Sequence, residues 1–499
     1  MKTLQTAWSF LTRKKKIKNT ALDGALTEFQ SNFPLYKTTA HLDVLRDQEF
    51  SRLDEQGHTY LDFTGASLYP QKQVASHAQQ LMQHVYGNPH SSNPTSHLST
   101  AVTESARDFV LQYMKTNREE YVCIFTQNAS GALKLLGESY PFQEGDQLLM
   151  TFDNHNSVNG IREFARRKGA SFTYSRVQKD DLRIDDNKLM LNLMTPETGK
   201  NKLFAFPAQS NVSGVKHDLD WIETAQQQGW DVLLDAAAFV PTDRLDLSRY
   251  KPDFVTMSFY KIFGYPTGLG CLLVRRDAFE KLRRPWFAGG TIKIVTVQGD
   301  GYGYDHEHAM FEDGTINFLN IPAIETGLRF IENLGIESIR TRVNCLTGWT
   351  LQQLNQLRHH NGLPLVKIYG PQDAVKRGGT IAMNLFDIDG AMYEFMEIEK
   401  MANARNISLR TGCFCNPGID ETNHALGEAE LKHYFSSDGE KSYFDLIEKL
   451  GKRRGAVRIS FGYISNFADA YRFIEFVKEI LNKQIEHPAH QATQLAEVL

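Results

Sequence analysis

The chain of 499 residues is 41% hydrophobic and carries a formal net charge of −4, so it can bury a large core in two or three domains and offers no electrostatic case for binding nucleic acid. No apolar run reaches the roughly 18 residues that cross a bilayer, so we expect no transmembrane segment. Five cysteines, an odd number scattered along the chain, form no disulfide framework and are typical of a reducing compartment, which predicts a cytoplasmic protein.

The N-terminal segment, residues 1–20, places an apolar patch before the basic run Arg13–Lys16. A secretory signal has the reverse order, with its charges first. We therefore predict an N-terminal arm over residues 1–50, solvated at its start.

Small residues over 64–67 follow a strand predicted at 60–63. Such a turn lets a ligand approach the backbone, and an ordinary tight turn explains it equally well. Helical spacing predicts amphipathic helices over 73–86 and 100–114. The apolar residues of the first helix share one face: Val74, Ala78, Leu81, Met82 and Val85.

Three strands in the middle of the chain end at small or polar residues. The strand at 121–125 runs into a small-residue turn and a helix start, where free N–H groups and the helix dipole suit a phosphate, although every strand-to-helix corner has this form. The strand at 148–152 precedes His155, and that at 204–208 precedes Asn211. A loop histidine and a turn asparagine are usually only polar loop residues.

Two more strands end at residues that suit a carbonyl cofactor. Asp235 ends an apolar run, and Lys261 follows the strand predicted at 255–259, with Gly264 close behind it. The glycines and proline after Lys261 exclude a helix and predict a strand-to-loop corner. Pyridoxal phosphate needs a lysine of low pKa for a Schiff base and an aspartate at its ring nitrogen. Asp235 alone is equally well a helix N-cap.

The last part of the chain is predicted to form a smaller domain. Its predicted helices and strands lie at 321–334, 336–357, 379–386, 391–404, 456–461 and 466–482. A loop at 410–418 carries Cys413 and Cys415. Two thiolates supply only half of the ligands of a tetrahedral zinc site, and a redox pair of thiols is the alternative interpretation. Asp305–His308 also lacks further ligands, so we predict no metal site.

The residues from 258 to 270 resemble the lysine motif of class V aminotransferase-fold enzymes, most closely the cysteine-desulfurase-like domain of molybdenum cofactor sulfurases. Ordered matches extend the resemblance over nearly the whole chain, at 60–62, 65–66, 86–91, 125–126, 129–130, 235–237, 409–416 and 457–462. The resemblance implies an α/β, fold type I pyridoxal-phosphate transferase. A large domain with a mostly parallel seven-stranded sheet, 51–340, would precede a small α+β domain, 341–499, that carries the cysteine loop.

The resemblance also implies the roles of individual residues. Residues implied at the cofactor are Lys261, Asp235, His155, Ala129, Ser130, Asn211 and Ser258, with Thr315 reaching the partner's phosphate in a homodimer. Arg458 and Asn211 would bind L-cysteine, although a structural salt bridge is an alternative for Arg458. Catalysis would fall to Lys261, His155 and Cys415.

The implied activity is a cysteine desulfurase. Cys415 would take the sulfur of L-cysteine as a persulfide with Cys413 auxiliary, and alanine would leave. The sequence departs from general desulfurases at two positions: Ala238 stands where many have glutamine, and Tyr260 stands where many have histidine. Both departures favour the molybdenum cofactor branch. Eukaryotic members carry a further C-terminal domain that this sequence lacks, so molybdenum cofactor or a separate acceptor protein would receive the sulfur. A racemase, epimerase or Cβ-lyase of the same fold, or a non-catalytic scaffold, is the alternative.

Overall fold

The computed structural model describes residues 20–194, 199–436 and 441–485. The basic run predicted to be solvated, at 13–16, lies outside the described residues. The described strands are β1 Thr59–Tyr60, β2 Tyr121–Thr126, β3 Gln147–Thr151, β4 Ser171–Ser175, β5 Lys202–Pro207, β6 Asp231–Asp235, β7 Phe254–Ser258, β8 Gly270–Arg275, β9 Ile292–Val295, β10 Tyr302–Tyr304, β11 Val366–Tyr369, β12 Thr380–Leu385, β13 Ile407–Ser408, β14 Arg410–Gly412 and β15 Ala456–Ser460.

Helices connect and cover these strands. The described α-helices are α1 Thr20–Asn32, α2 His41–Glu49, α3 Ser51–Glu55, α4 Gln71–Gln83, α5 Pro94–Tyr113, α6 Ala129–Ser139, α7 Asn156–Asn159, α8 Ile161–Arg167, α9 Asp186–Leu193, α10 Trp221–Gln227, α11 Tyr260–Phe263, α12 Arg276–Phe279, α13 Pro322–Leu334, α14 Ile336–Gln356, α15 Phe395–Asn403, α16 Pro417–Asn423, α17 Glu428–Ser436, α18 Tyr443–Leu450 and α19 Phe467–Lys478. Two 3₁₀ helices lie at Pro34–Thr39 and Glu307–Phe311. Across the described ranges, every helix is too short or too polar to cross a bilayer.

A seven-stranded sheet forms the centre of the molecule, with the strand order β2-β8-β7-β6-β5-β3-β4. Strand β8 runs antiparallel to β2 and β7, and the other pairs are parallel. The predicted α/β fold class with a mostly parallel seven-stranded sheet is therefore confirmed.

Both faces of this sheet are covered, which explains the uninterrupted apolar runs of its strands. In β5, Phe204 and Phe206 pack into one core, and Leu203 and Ala205 pack into the core on the opposite face. Strands buried on both faces read as continuous hydrophobic runs because alternate side chains enter different layers.

The second, smaller sheet is antiparallel and has the order β11-β12-β15-β14. The N-terminal helix α1 packs against α14 and α19, since Phe29 of α1 is fully buried beside Trp349 of α14 and Phe467 of α19. The first described residues of the predicted arm are thus part of the packed body. The division into domains at 50 and 340 stays a prediction.

The helix predicted at 73–86 is present as α4. The face that it buries is not the predicted apolar face. Met82 and Val85 are 80% and 73% exposed, whereas Gln73 and His77 are buried. His77 is held by the Tyr265 hydroxyl and the Leu319 carbonyl, each 2.8 Å away. These tertiary hydrogen bonds orient the helix against its apolar periodicity.

Candidate active site

Lys261 lies in a single helical turn, α11, where the sequence predicted a strand-to-loop corner. One turn fits between β7 and Gly264, whose φ of +83° then ends it. The prediction that no helix follows the strand was wrong by this one turn. Ser67 donates from Oγ to the Lys261 carbonyl at 2.8 Å, and from its N–H to that of Tyr260 at 3.3 Å. The small-residue turn at 64–67 therefore positions the lysine turn.

A cavity of about 120 Å³ opens beside this turn, at the carboxyl ends of the central strands. Seven of the predicted site residues line it together: Lys261, Asp235, His155, Ala129, Ser130, Asn211 and Ser258. Ala238 and Gln209 also line it. Parallel strands bring their carboxyl ends to one edge of a sheet, which is where such crevices form.

Burial controls the charges of the basic groups in this cavity. It lowers the pKa of the Lys261 amine, and Arg458 adds to this effect while the Asp235 carboxylate opposes it. Burial also lowers the pKa of His155, again against the opposing effect of Asp235. His155 Nδ1 accepts a hydrogen bond from the Ser157 N–H at 3.1 Å. Both side chains are therefore suited to act as neutral bases near the cavity.

The predicted phosphate corner is the start of helix α6. Asn128 caps the helix, and the N–H of Ala129 donates to Ser258 Oγ at 2.8 Å. The hydroxyls of Ser130 and Ser157 lie 2.6 Å apart. Because an α-helix N-terminus and hydroxyl donors meet here, the corner can hold a phosphate. The sequence had not singled out Ser157.

Arg458 is buried and takes part in an ion pair. It donates to Asp62 Oδ1 at 2.8 Å and to the Asn211 carbonyl at 3.0 Å, while its buried Nε has no hydrogen-bond partner among the described residues. Asp62 also accepts from Arg410 at 2.6 Å. The salt bridge that was the alternative for Arg458 is present, and the guanidinium keeps N–H groups, including that of Nε, without a hydrogen bond to the described residues. Asp62 had no predicted role, and its only sequence signal is a charge inside the apolar run at 60–63.

The cysteine loop lies against the cavity and is tied to it. Phe414 and Cys415 have φ values of +55° and +54°, a conformation that costs non-glycine residues on the order of 1 kcal/mol each. Asn211 Nδ2 donates to the Phe414 carbonyl at 2.8 Å, and the Asn156 N–H donates to that of Cys415 at 2.7 Å. These two bonds fix the loop to the turns that carry Asn211 and His155.

Asn416 supplies the other ties of the loop. Its fully buried side chain donates to the Asp153 carbonyl at 2.7 Å and to Asn211 Oδ1 at 2.9 Å, and it caps α16. Both ends of the Asn211 side chain are thus bonded to the loop. Asn416 had no predicted role, although an asparagine before a proline-initiated helix is a recognisable cap signal.

The two cysteines of the loop differ in environment. Cys415 is exposed, whereas Cys413 is half-buried. Burial, aided by the Asp420 carboxylate, raises the pKa of Cys413 to about 12. Cys415 is near enough to Lys261 and Arg458 to oppose the lowering of their pKa values by burial, and it adds to the raised pKa of Arg410, which Asp62 chiefly causes. Since the thiolate is the nucleophile, Cys415 is the better placed of the two.

Thr315 does not line the cavity in its own chain. It is exposed, and its hydroxyl accepts from Asn88 Nδ2 at 3.3 Å. A role for Thr315 at the phosphate therefore requires a second copy of the chain.

The residues present fit pyridoxal phosphate. The Lys261 amine suits its aldehyde, the Asp235 carboxylate suits its ring nitrogen, and the start of α6 with Ser258 suits its phosphate. In addition, the buried Gln209 Oε1 lacks a hydrogen-bond partner among the described residues. The Lys261 amine, the Asp235 carboxylate and the hydrogen-bond donors at the start of α6 match the chemistry of that cofactor.

The model of the family "Aminotransferase class-V" matches residues 59–473. The chain belongs to this family. One fold family can host enzymes that catalyse different reactions, so membership alone does not specify the reaction. Similarity to individual relatives is therefore needed as well.

Curated relatives are similar over most of this chain. The molybdenum cofactor sulfurase of Arabidopsis thaliana is 36% identical over 493 residues, which is 91% of this chain and 60% of the relative. That of Bos taurus is 39% identical over 461 residues, 87% of this chain and 51% of the relative. The chain thus spans about half to three fifths of the length of these relatives.

Solved structures share the fold. An apo cysteine desulfurase from Thermococcus onnurineus NA1 has a TM-score of 0.72 at 23% identity, covering 88% of this chain and 97% of its own. A cysteine desulfurase from Escherichia coli has a TM-score of 0.67 at 20% identity, with 87% and 97% covered. At these identities, the likeness supports the fold alone.

Proposed function

We propose that this class V aminotransferase is a pyridoxal-phosphate-dependent cysteine desulfurase of the molybdenum cofactor sulfurase type. It takes sulfur from L-cysteine onto Cys415 as a persulfide and releases alanine. The observation that carries this proposal is the tie between the cysteine loop and the cavity: the backbone N–H next to His155 holds the carbonyl of the exposed Cys415 at 2.7 Å. A nucleophilic thiol is thereby kept beside a lysine of lowered pKa.

Each group of the site has a task in this reaction. Arg458 binds the carboxylate of L-cysteine, for which its unpartnered Nε is available. Lys261, as a neutral amine, takes the Cα proton, and Asp235 keeps the ring nitrogen protonated. Bound pyridoxal phosphate supplies an electron sink.

Sulfur transfer is carried out by Cys415. Its thiolate attacks the sulfur of the substrate, an S–S bond forms, and the bond from that sulfur to Cβ breaks. The Cβ carbon takes up a proton and leaves as the methyl group of alanine, so the reaction needs no external oxidant or reductant. Arg410 and Arg458 lie near Cys415 and place positive charge beside the reacting sulfur.

The persulfide sulfur then passes to molybdenum cofactor, held by this protein or by a separate acceptor protein. Support comes from the relatives, which are molybdenum cofactor sulfurases. All five cysteines of the chain are free thiols. A persulfide enzyme requires its thiol reduced, which fits the cytoplasm.

The enzyme acts as a homodimer in which Thr315 approaches the partner's phosphate. The apolar side chains of Leu81, Met82 and Val85, near the end of α4, are exposed, which supports a surface that contacts the partner subunit. His90, just beyond that helix, contacts the Gly314 carbonyl at 3.4 Å, next to Thr315.

Substitution of the two loop cysteines tests the proposed activity. Cys415→Ser should abolish alanine release from L-cysteine, because the serine hydroxyl cannot accept the sulfur. Cys413→Ser is the matched control and should retain most of the rate. If Cys415→Ser releases alanine as fast as the parent, Cys415 is not the acceptor. If the parent releases pyruvate or racemised amino acid in place of alanine, the lyase or racemase alternative replaces this proposal.

A further inference from the structure

Asp62 is a buried carboxylate that two arginines of the site share. Its Oδ1 accepts from Arg458 Nη2 at 2.8 Å, and its Oδ2 accepts from Arg410 Nε at 3.0 Å and from Arg410 Nη2 at 2.6 Å. Within the described ranges, neither arginine forms an ion pair with another carboxylate. Two positive charges are therefore offset by one negative charge, and one positive charge is left over.

The two arginines are directly opposite each other in the small sheet. Arg410 of β14 pairs with Arg458 of β15 in the antiparallel register. Like charges in such a pair destabilise a sheet, because the two side chains leave the same face with their Cβ atoms only about 4.5–5.5 Å apart. Asp62 relieves this repulsion by accepting hydrogen bonds from both. Removal of its charge would leave two cations side by side.

The turn that follows Asp62 makes room for this contact. A Cβ atom at Gly65 would lie 2.5 Å from Asp62 Oδ2 and 2.7 Å from Arg410 Nη2. Both distances are well inside van der Waals contact, so a larger residue would push the carboxylate and the guanidinium apart. The φ of Gly65 is outside the left-handed region. The close approach of the two charges, and not the backbone conformation, is therefore what requires glycine at this position.

Arg410 lies on the side of the site where the sulfur of L-cysteine must arrive. It is near Cys415, whose thiol adds to the raised pKa of Arg410 that Asp62 chiefly causes. It is also near Tyr260, which lines the cavity: burial raises the pKa of the Tyr260 hydroxyl, and Arg410 opposes this rise. The two arginines therefore serve different ends of an amino acid. Arg458 suits the α-carboxylate, and Arg410 is near the side chain.

We propose that Asp62 determines substrate specificity: by offsetting the charge of Arg410, it makes the site select an amino acid with an uncharged side chain over one with a second acidic group. The positive charge left over matches the single carboxylate of L-cysteine. An acidic side chain would meet the Asp62 carboxylate in place of a free guanidinium, and this like-charge contact disfavours the wrong ligand. The inference rests on the proposed function in one respect: the substrate is an α-amino acid whose carboxylate binds Arg458.

Calorimetric binding of L-alanine and L-aspartate to the purified holoenzyme tests this role of Asp62. L-Aspartate is L-alanine with a second carboxylate, and neither carries sulfur, so no persulfide forms. Because both ligands have the α-carboxylate, the ratio of their dissociation constants cancels any effect of a substitution on Arg458. The parent should prefer L-alanine. Asp62→Asn keeps the size of the side chain and removes its charge, so the ratio should shift towards L-aspartate by about fivefold.

Two further variants show whether the shift comes from Arg410. Arg410→Gln added to Asp62→Asn removes the freed guanidinium, so the ratio should return towards the parent value. Asp54→Asn is the matched control, because Asp54 also accepts two hydrogen bonds from one arginine, Arg46, each at 3.0 Å. Asp54 does not line the cavity, so the ratio for Asp54→Asn should equal that of the parent.

The possible outcomes separate the two proposals. An equal ratio in the parent and in folded Asp62→Asn overturns the role of Asp62 alone, and so does a shift that survives the addition of Arg410→Gln. If Asp62→Asn does not fold, Gly65→Ala takes its place, since it separates the same two charges by steric contact and should shift the ratio in the same direction; an unchanged ratio there is equally contradictory. A parent that binds neither L-alanine nor L-cysteine overturns the proposed function itself.

Discussion

Charge states decide what individual side chains of this site can do. Burial lowers the pKa values of Lys261 and His155, so both lose their protons at a lower pH than free side chains. Burial raises the pKa of Cys413 to about 12 from a reference of 9.0. The same loop thus presents one exposed thiol and one that stays protonated near neutral pH.

Alkylation should discriminate between these two thiols. Brief iodoacetamide treatment at pH 8 should modify the exposed Cys415 and spare Cys413, which is half-buried and whose pKa of about 12 leaves very little thiolate at that pH. The measurement is peptide mass spectrometry, with urea-unfolded protein as the control in which both thiols react. Equal labelling in the folded protein would contradict the structure.

Arg458 should determine the affinity for L-cysteine. Arg458→Lys removes the unpartnered Nε and the fork geometry, so KM should rise roughly 10- to 100-fold, with the visible spectrum of the cofactor unchanged. Arg410→Lys is the control, since Arg410 pairs with the same Asp62 but its side chain is 52% exposed. Equal effects of both substitutions on KM would mean that Arg458 is only a structural partner of Asp62.

The cysteine loop is held as a unit by asparagine side chains. Asn211 donates to the Phe414 carbonyl, next to Cys415, and Asn416 donates to Asn211 and to the Asp153 carbonyl. The strained φ values of Phe414 and Cys415 persist because these bonds fix them. The loop is therefore held in one backbone conformation beside the turns that carry Asn211 and His155.

Asn416→Ala should loosen the loop. It removes a helix cap and two buried hydrogen bonds, so the free energy of unfolding should fall by about 2–3 kcal/mol. Persulfide formation should fall while cofactor retention stays normal. Asn466→Ala, which uncaps α19, is the control that should destabilise the protein without slowing sulfur transfer. Unchanged sulfur transfer in Asn416→Ala would show that the tie is dispensable.

The strands and the site were predictable to different extents. Apolar runs located the central strands to within one or two residues, and their polar ends pointed to Lys261, Asp235 and His155. The orientation of α4 could not be predicted, because His77 is buried by hydrogen bonds to residues far along the chain. The ties of Asn416 and the pairing of Arg458 with Asp62 were likewise hidden, since both depend on contacts between distant segments.

In the assembled enzyme, the proposed role of Thr315 requires an active site shared between two subunits, because Thr315 lies outside the cavity of its own chain. Mixing Lys261→Ala with Thr315→Ala should restore activity, because half of the re-formed dimers are mixed and each mixed dimer has one intact site. About a quarter of the parent activity is expected, measured as alanine release after subunit exchange. No activity above that of the separate variants would argue against a site shared between subunits.

Mass spectrometry of the parent protein after incubation with L-cysteine tests sulfur transfer to Cys415. Alanine is assayed in the same sample. We predict a mass gain of one sulfur atom located at Cys415, accompanied by alanine. Bound cofactor with neither persulfide nor alanine would mean that the protein has the family fold without desulfurase chemistry.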